Sequence, residues 1–139
     1  MTARFYPCIH WEQIGVVLKQ KLKILVVDDE PMVLRSIEMI LGHIGHAVEA
    51  VDGGSAALAR LAHSEFDLVL TDLSMPGMGG AELVDRIRRQ IPAQKIIMVS
   101  AFAEDYRKSN EGKVNAFLSK PFGIAELIGT INKLFVNET

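Results

Sequence analysis

Five short apolar runs set the rhythm of this chain: Lys23 to Asp28, Ala47 to Val51, Asp67 to Thr71, Lys95 to Val99 and Ala116 to Ser119. The first is continuous and β-branched, the pattern of a strand buried on both faces. Between the runs, apolar residues recur at helical spacing. Pro31 suits the first turn of a helix that carries Val33, Ile37, Ile40 and Ile44, and Gly45 is its stop. Gly53 and Gly54 mark a turn, and Ser55 is the expected N-cap of a helix ending near Ala62. Leu83, Ile87 and Ile91 line a third helix. Ile124, Leu127, Ile128, Ile131 and Leu134 line the last. Strands alternating with helices predict an α/β fold with a parallel sheet, its right-handed crossovers packing helices on the sheet faces.

Two segments depart from that rhythm. Residues 103–115 should hold the fourth helix, yet only Ala103, Tyr106 and Val114 are apolar there. Ser109, Asn110 and Gly112 oppose helix formation, so a weak or irregular element is expected. Residues 1–20 read as an N-terminal extension, in which Trp11, Ile14 and Leu18 have the spacing of one short helix. The folded domain is expected over residues 21–139.

The chain has 139 residues, the size of one domain, and 49% hydrophobic with 23% charged residues excludes a disordered polymer. A balance of 15 basic against 17 acidic residues gives no electrostatic reason to expect nucleic acid or an acidic membrane. The sole cysteine, Cys8, cannot close an intrachain disulfide or build a Cys/His zinc site. No apolar run is long enough to span a bilayer. A cytoplasmic location is the expectation.

In open α/β sheets, ligands bind outside the carboxyl ends of the strands. Those ends carry Asp28, Asp29 and Glu30 after the first run, Asp72 after the third, Ser100 after the fourth, and Lys120 with Pro121 after the fifth. Each has an ordinary reading taken alone: a helix cap for the Asp pair and for Ser100, a loop carboxylate for Asp72, a solvated lysine for Lys120. Their joint occurrence at strand ends is hard to reconcile with independent accidents. If the first and third strands are neighbours, three carboxylates converge, and such a cluster needs protonation or a cation. Hard oxygen ligands favour Mg²⁺. With a lysine and a hydroxyl on the same edge, the set suits phosphoryl transfer to Asp72.

These residues also stand in an ordered set of motifs. They are Val26-Val27-Asp28-Asp29-Glu30-Pro31, Asp67 through Met78, Val99-Ser100-Ala101, and Phe117-Leu118-Ser119-Lys120-Pro121-Phe122. Over about residues 21–136 the chain resembles the receiver domain of bacterial two-component response regulators. The resemblance implies a flavodoxin-like, doubly wound sheet of five parallel strands in the order 2-1-3-4-5. It implies that Asp72 is the phosphoacceptor, and that Asp28, Asp29, Asp72 and the backbone carbonyl of Ser74 hold Mg²⁺. Lys120 would contact the phosphoryl group, Ser100 would move to meet it, and the rotamer of Phe117 would report that movement. The Lys120–Pro121 bond would be cis. Three positions depart from the family pattern. Phe117 stands where many members have Tyr, the interval from Ser100 to Lys120 is slightly short, and Gly79 replaces a frequent Asp.

Two other classes fit less well. A flavodoxin-type cofactor domain needs a phosphate-cradling loop after the first strand, where Asp28, Asp29 and Glu30 would repel a bare phosphate. A magnesium-dependent phosphatase of the haloacid dehalogenase type places an Asp two residues after its nucleophile, where this chain has Ser74. The resemblance implies a self-phosphorylating and self-dephosphorylating switch rather than a turnover enzyme. Its expected partners are a histidine kinase or histidine phosphotransfer protein and a downstream protein target, with the chain a monomer or weak dimer. A freely diffusing switch, a phosphorelay intermediate and a receiver excised from a hybrid kinase all remain open.

Overall fold

The computed structural model describes residues 21–101 and 112–135. The expected extension over 1–20 and most of the weak fourth helix lie outside these residues. Described elements run β1 (Lys23–Val27), α1 (Pro31–Ile44), β2 (Ala47–Val51), α2 (Gly54–His63), β3 (Leu68–Asp72), α3 (Gly80–Gln90), β4 (Lys95–Ser100), β5 (Ala116–Ser119) and α4 (Ile124–Phe135). The strands form one sheet in the order β2-β1-β3-β4-β5, with every neighbouring pair parallel. Residues 112–115 form turns and bends that lead into β5.

Alternation along the strands builds two cores. Ile24, Val26, Leu68, Leu70, Ile97, Val99 and Leu118 face one side, where Ile37 and Leu41 of α1 and Leu127 and Ile131 of α4 cover them. Leu25, Val27, Val69, Ile96 and Met98 face the other, against Ala57 and Leu61 of α2 and Leu83, Val84 and Ile87 of α3. A strand buried on both faces has no solvent-facing positions, which is why the central runs read as unbroken hydrophobes.

Local signals explain most boundaries. Pro31 opens α1, and Gly45 ends it at φ 120°, a left-handed conformation that suits glycine. The Gly45 and His46 amides donate to the carbonyls of Gly42 and Leu41. The Ser55 expectation is corrected: α2 begins two residues earlier, at Gly54, and its N-cap is Gly53, with no side-chain cap hydrogen bond. Gly54 is buried against the Met78 side chain, so packing on the loop before α3 accompanies this earlier start. Asp67 also precedes its strand. Its carboxylate accepts the Lys23 amide at 2.8 Å and so ties the start of β1 to the approach to β3. Ile91 is the C-cap of α3 rather than part of its last turn.

A second polar tie holds the other end of the sheet. The Arg88 guanidinium on α3 donates to the carbonyls of Lys113 at 2.8 Å and Gln94 at 2.6 Å, and to Asn115 Oδ1 at 3.2 Å. Asn115 Oδ1 also accepts the Ile96 amide. One side chain thus fixes the entries to β4 and β5 together.

His46 makes the fold sensitive to pH. It is buried, and its Nδ1 accepts the Leu22 amide at 3.0 Å, which requires that nitrogen to be unprotonated. Burial holds its pKa below the ordinary imidazole value of 6.5. The native state therefore binds fewer protons than the unfolded chain between the lowered and the ordinary value. The stability His46 contributes is complete above the ordinary value and is lost as pH falls through the lowered one. Urea unfolding from neutral to mildly acid pH should show wild type losing more stability than His46→Asn, whose amide oxygen can replace the acceptor without titrating. Parallel pH profiles would contradict this.

Candidate phosphoacceptor site

Parallel strands place all their carboxyl ends on one edge. Asp28 follows β1 directly, Asp72 ends β3, and β1 pairs with β3 in register, Val27 opposite Thr71. Carboxylate oxygens of Asp28, Asp29 and Asp72 consequently lie within 4.8 Å of one another. Asp28 and Asp72 are buried, and Asp29 is half-buried. Oxygen donors at this spacing, two of them removed from water, fit a hard divalent cation. Asp28 also anchors the backbone locally, since its Oδ1 accepts the Glu30 amide at 2.9 Å, just before α1. The ordinary helix-capping reading of the Asp pair is corrected: the N-cap of α1 is Glu30, with no side-chain cap hydrogen bond, and the Asp28 bond is a local turn that holds Asp28 in place without occupying its second oxygen.

Lys120, one residue beyond β5, supplies the counter-charge. Its Nζ lies 3.3 Å from Asp28 Oδ2, 3.3 Å from Asp72 Oδ1 and 3.7 Å from Glu30 Oε1. Burial pushes the Asp72 carboxyl above the ordinary range. The Lys120 ammonium opposes that rise, and the Asp28 and Asp29 charges add to it. For Lys120, burial works against the charged form, but attraction to Asp28 and Asp72 outweighs it and raises the ammonium pKa. Lys120 therefore stays protonated at neutral pH, a fixed cation facing the Asp72 carboxyl.

The remaining expected residues surround this cluster. Ser74 is exposed in the loop after β3. Ser100 ends β4 and is buried, and its carbonyl accepts the Lys120 amide at 3.0 Å. Phe117 lies opposite Met98 in the β4–β5 register and packs against the core shared by α2 and α3. Strand alternation puts Ser100 on the same sheet face as Met98, and hence as Phe117. The Lys120–Pro121 peptide bond is cis.

Gly80 contributes to the site without any motif to announce it. A Cβ there would collide with the Asp72 carbonyl oxygen and lie 2.8 Å from the Leu73 Cα. The Gly80 amide donates to the Leu73 carbonyl at 2.8 Å. The start of α3 is thus pressed against the backbone of Asp72 itself. The only signal in the sequence is the Gly79-Gly80 pair after Asp72, which has the look of ordinary loop composition.

Fold and pocket together define the class: a doubly wound α/β domain with an acidic, lysine-backed pocket at the carboxyl edge of its sheet. Within that class, the family described as the response regulator receiver domain matches residues 24–132, and the chain belongs to it. It is similar to the chemotaxis protein CheY-3 of Vibrio cholerae, 33% identical over 124 residues that cover 86% of this chain and 95% of that one. It is also similar to the response regulator receiver protein CpdR of Brucella abortus, 34% identical over 119 residues, 82% of this chain and 97% of that one. Among solved structures, Thermotoga maritima TrrA in complex with Mg²⁺-BeF superposes with a TM-score of 0.76 at 32% identity, covering 83% of this chain and 99% of that one. Receiver domains of this family are signalling switches that bind Mg²⁺ at an acidic pocket. None of the helices among the described residues is long and apolar enough to cross a membrane.

The Gly80 contact is open to a direct check. Gly80→Ala forces backbone apart and should cost roughly 1–3 kcal/mol, more than the helix propensity it gains. Gly79→Ala, whose Cβ meets only the Leu73 carbonyl at 3.4 Å, changes an N-cap residue without that collision. It should cost less than about 1 kcal/mol. Denaturant unfolding of both variants measures the difference, and equal losses would refute the collision argument.

Proposed function

We propose that this receiver takes a phosphoryl group onto Asp72 from a histidine kinase or histidine phosphotransfer protein, and that the change alters the surface met by a downstream protein. The observation that carries this reading is the pocket: a buried carboxylate at the end of β3 with Lys120 Nζ 3.3 Å away and two further aspartates beside it. Its membership of the receiver family supports the same reading.

In this reading a carboxylate oxygen of Asp72 bonds to phosphorus as the bond from phosphorus to the donor imidazole nitrogen breaks, the electron pair leaving with the imidazole. Lys120 orients the phosphoryl oxygens and balances their charge. Asp28, Asp29, Asp72 and the Ser74 carbonyl are the residues that would hold Mg²⁺. When bound, that ion supplies Lewis-acid neutralisation of the charge on the phosphoryl oxygens. Binding of Mg²⁺ with a phosphoryl mimic, named for TrrA, supports the extension to this chain. The Ser100 hydroxyl donates to the new phosphoryl group, and Phe117, on the same face, repacks as β4 adjusts. The protein responds only as far as such contacts differ between its two states.

Intact mass after incubation with acetyl phosphate and Mg²⁺ should show one added phosphoryl group on wild type and none on Asp72→Asn. Asp29→Ala should lose most of the labelling. Equal labelling of wild type and Asp72→Asn would overturn the assignment of the acceptor.

Ser100→Ala should still accept the group, but with a smaller conformational response. Amide chemical-shift changes on adding beryllofluoride and Mg²⁺ measure that response. The same changes in both proteins would remove Ser100 from the switch.

A further inference from the structure

We propose that Glu30 sets which phosphoryl donors reach the site, disfavouring small, freely diffusing donors in proportion to their negative charge. The inference rests on Asp72 as the acceptor and concerns what stands in front of it.

Lys120 is held between two kinds of carboxylate. Its inner partners are Asp28 and Asp72, with side chains 3% and 6% exposed. Its outer partner is Glu30, whose side chain is 63% exposed and whose Oε1 lies 3.7 Å from Nζ. Glu30 thus covers the ammonium from the solvent side. The residue is well anchored for this position. Its amide donates to Asp28 Oδ1, and Pro31 follows as the first residue of α1. Glu30 is the N-cap of α1, yet its side chain makes no capping hydrogen bond. The carboxylate is therefore not used by the helix and points its charge toward Lys120. Glu30 and Lys120 also share the wall of an open cleft with Met32 and Phe122, so the pair faces a path of approach.

A donor that delivers a phosphoryl group to Asp72 must bring phosphoryl oxygens to the solvent side of Lys120, where Glu30 already sits. Lys120 is one cation among four carboxylates, so the mouth carries negative charge with Glu30 outermost. A protein donor can offset the repulsion through contacts elsewhere on its surface, whereas a small donor has no such contacts. Two unit charges about 6 Å apart in a water-like medium change a rate about threefold, less as salt rises. The effect therefore scales with donor charge. Release of Lys120 from its ion pair would instead help all donors alike.

Two small donors separate these effects. In each case an Asp72 oxygen forms the bond to phosphorus. With acetyl phosphate, a dianion near neutral pH, the acyl oxygen–phosphorus bond breaks and acetate leaves with the electron pair. With phosphoramidate, an N-protonated monoanion, the nitrogen–phosphorus bond breaks and ammonia leaves. Labelling rates of wild type, Glu30→Gln and Glu30→Lys would be followed by intact mass with Mg²⁺ and subsaturating donor, at low and high salt. At low salt, Glu30→Gln should accelerate both donors and shift the preference about threefold toward acetyl phosphate. Glu30→Lys should shift it further the same way, and high salt should shrink both shifts. An equal factor for the two donors, or no change, would overturn the donor-charge role while leaving Asp72 as the acceptor. Failure of both donors to label wild type, Glu30→Gln and Glu30→Lys alike would overturn the acceptor reading, and the proposal with it.

Discussion

The contact on which the site depends is the Lys120 ammonium among buried carboxylates. Burying Asp28 and Asp72 side by side is costly because each charge loses water and repels the other. Lys120 lies within 3.3 Å of both, and the attraction is enough to keep its own pKa raised despite burial. Asp72 still titrates above its ordinary value, so the lysine offsets the cost only in part. The pocket is left with excess negative charge. That imbalance fits a site that binds a cation, since a fully neutralised pocket would have little to gain from one.

The ion pair exists because of sheet order. β1 lies beside β3, and β5 is two strands further on, so Asp28, Asp72 and Lys120 start from different parts of the edge. The long lysine side chain crosses that distance, which a shorter basic residue could not do. Two cores then hold the strands in register from opposite sides, one covered by α1 and α4 and the other by α2 and α3. Slippage of any one strand would move its terminal residue by a full 3.3 Å or so, more than a hydrogen bond tolerates.

This dependence explains what is legible in the sequence. β2, β5 and the span of α1 match the residues expected, because hydrophobic runs and the Pro31 and Gly45 signals are local. The strand-end rule brings Asp28, Asp29, Asp72 and Lys120 to one edge from the order of residues alone, and the distances agree. Ser55 misleads because serine is a good N-cap in isolation, whereas the structure caps the helix with Gly53 and starts it at the buried Gly54. Gly80 is not legible for a related reason. Its role is a contact with the Asp72 carbonyl eight positions back, and composition records only that glycine is present.

Long-range polar ties are the least legible part of all. In the sequence, Arg88 on α3 is one of several charges on an exposed helical face. It instead grips the carbonyls of Lys113 and Gln94 and the Asn115 side chain, and Asn115 in turn accepts the Ile96 amide. That arrangement fixes the start of β5 relative to β4. β5 is only four residues long, so its start also governs where Lys120 emerges. These charge-assisted bonds act on the one strand whose following residue partly offsets the pocket's negative charge. The ion pair at one end of β5 thus rests on an arginine at the other, a connection carried by backbone rather than by any motif.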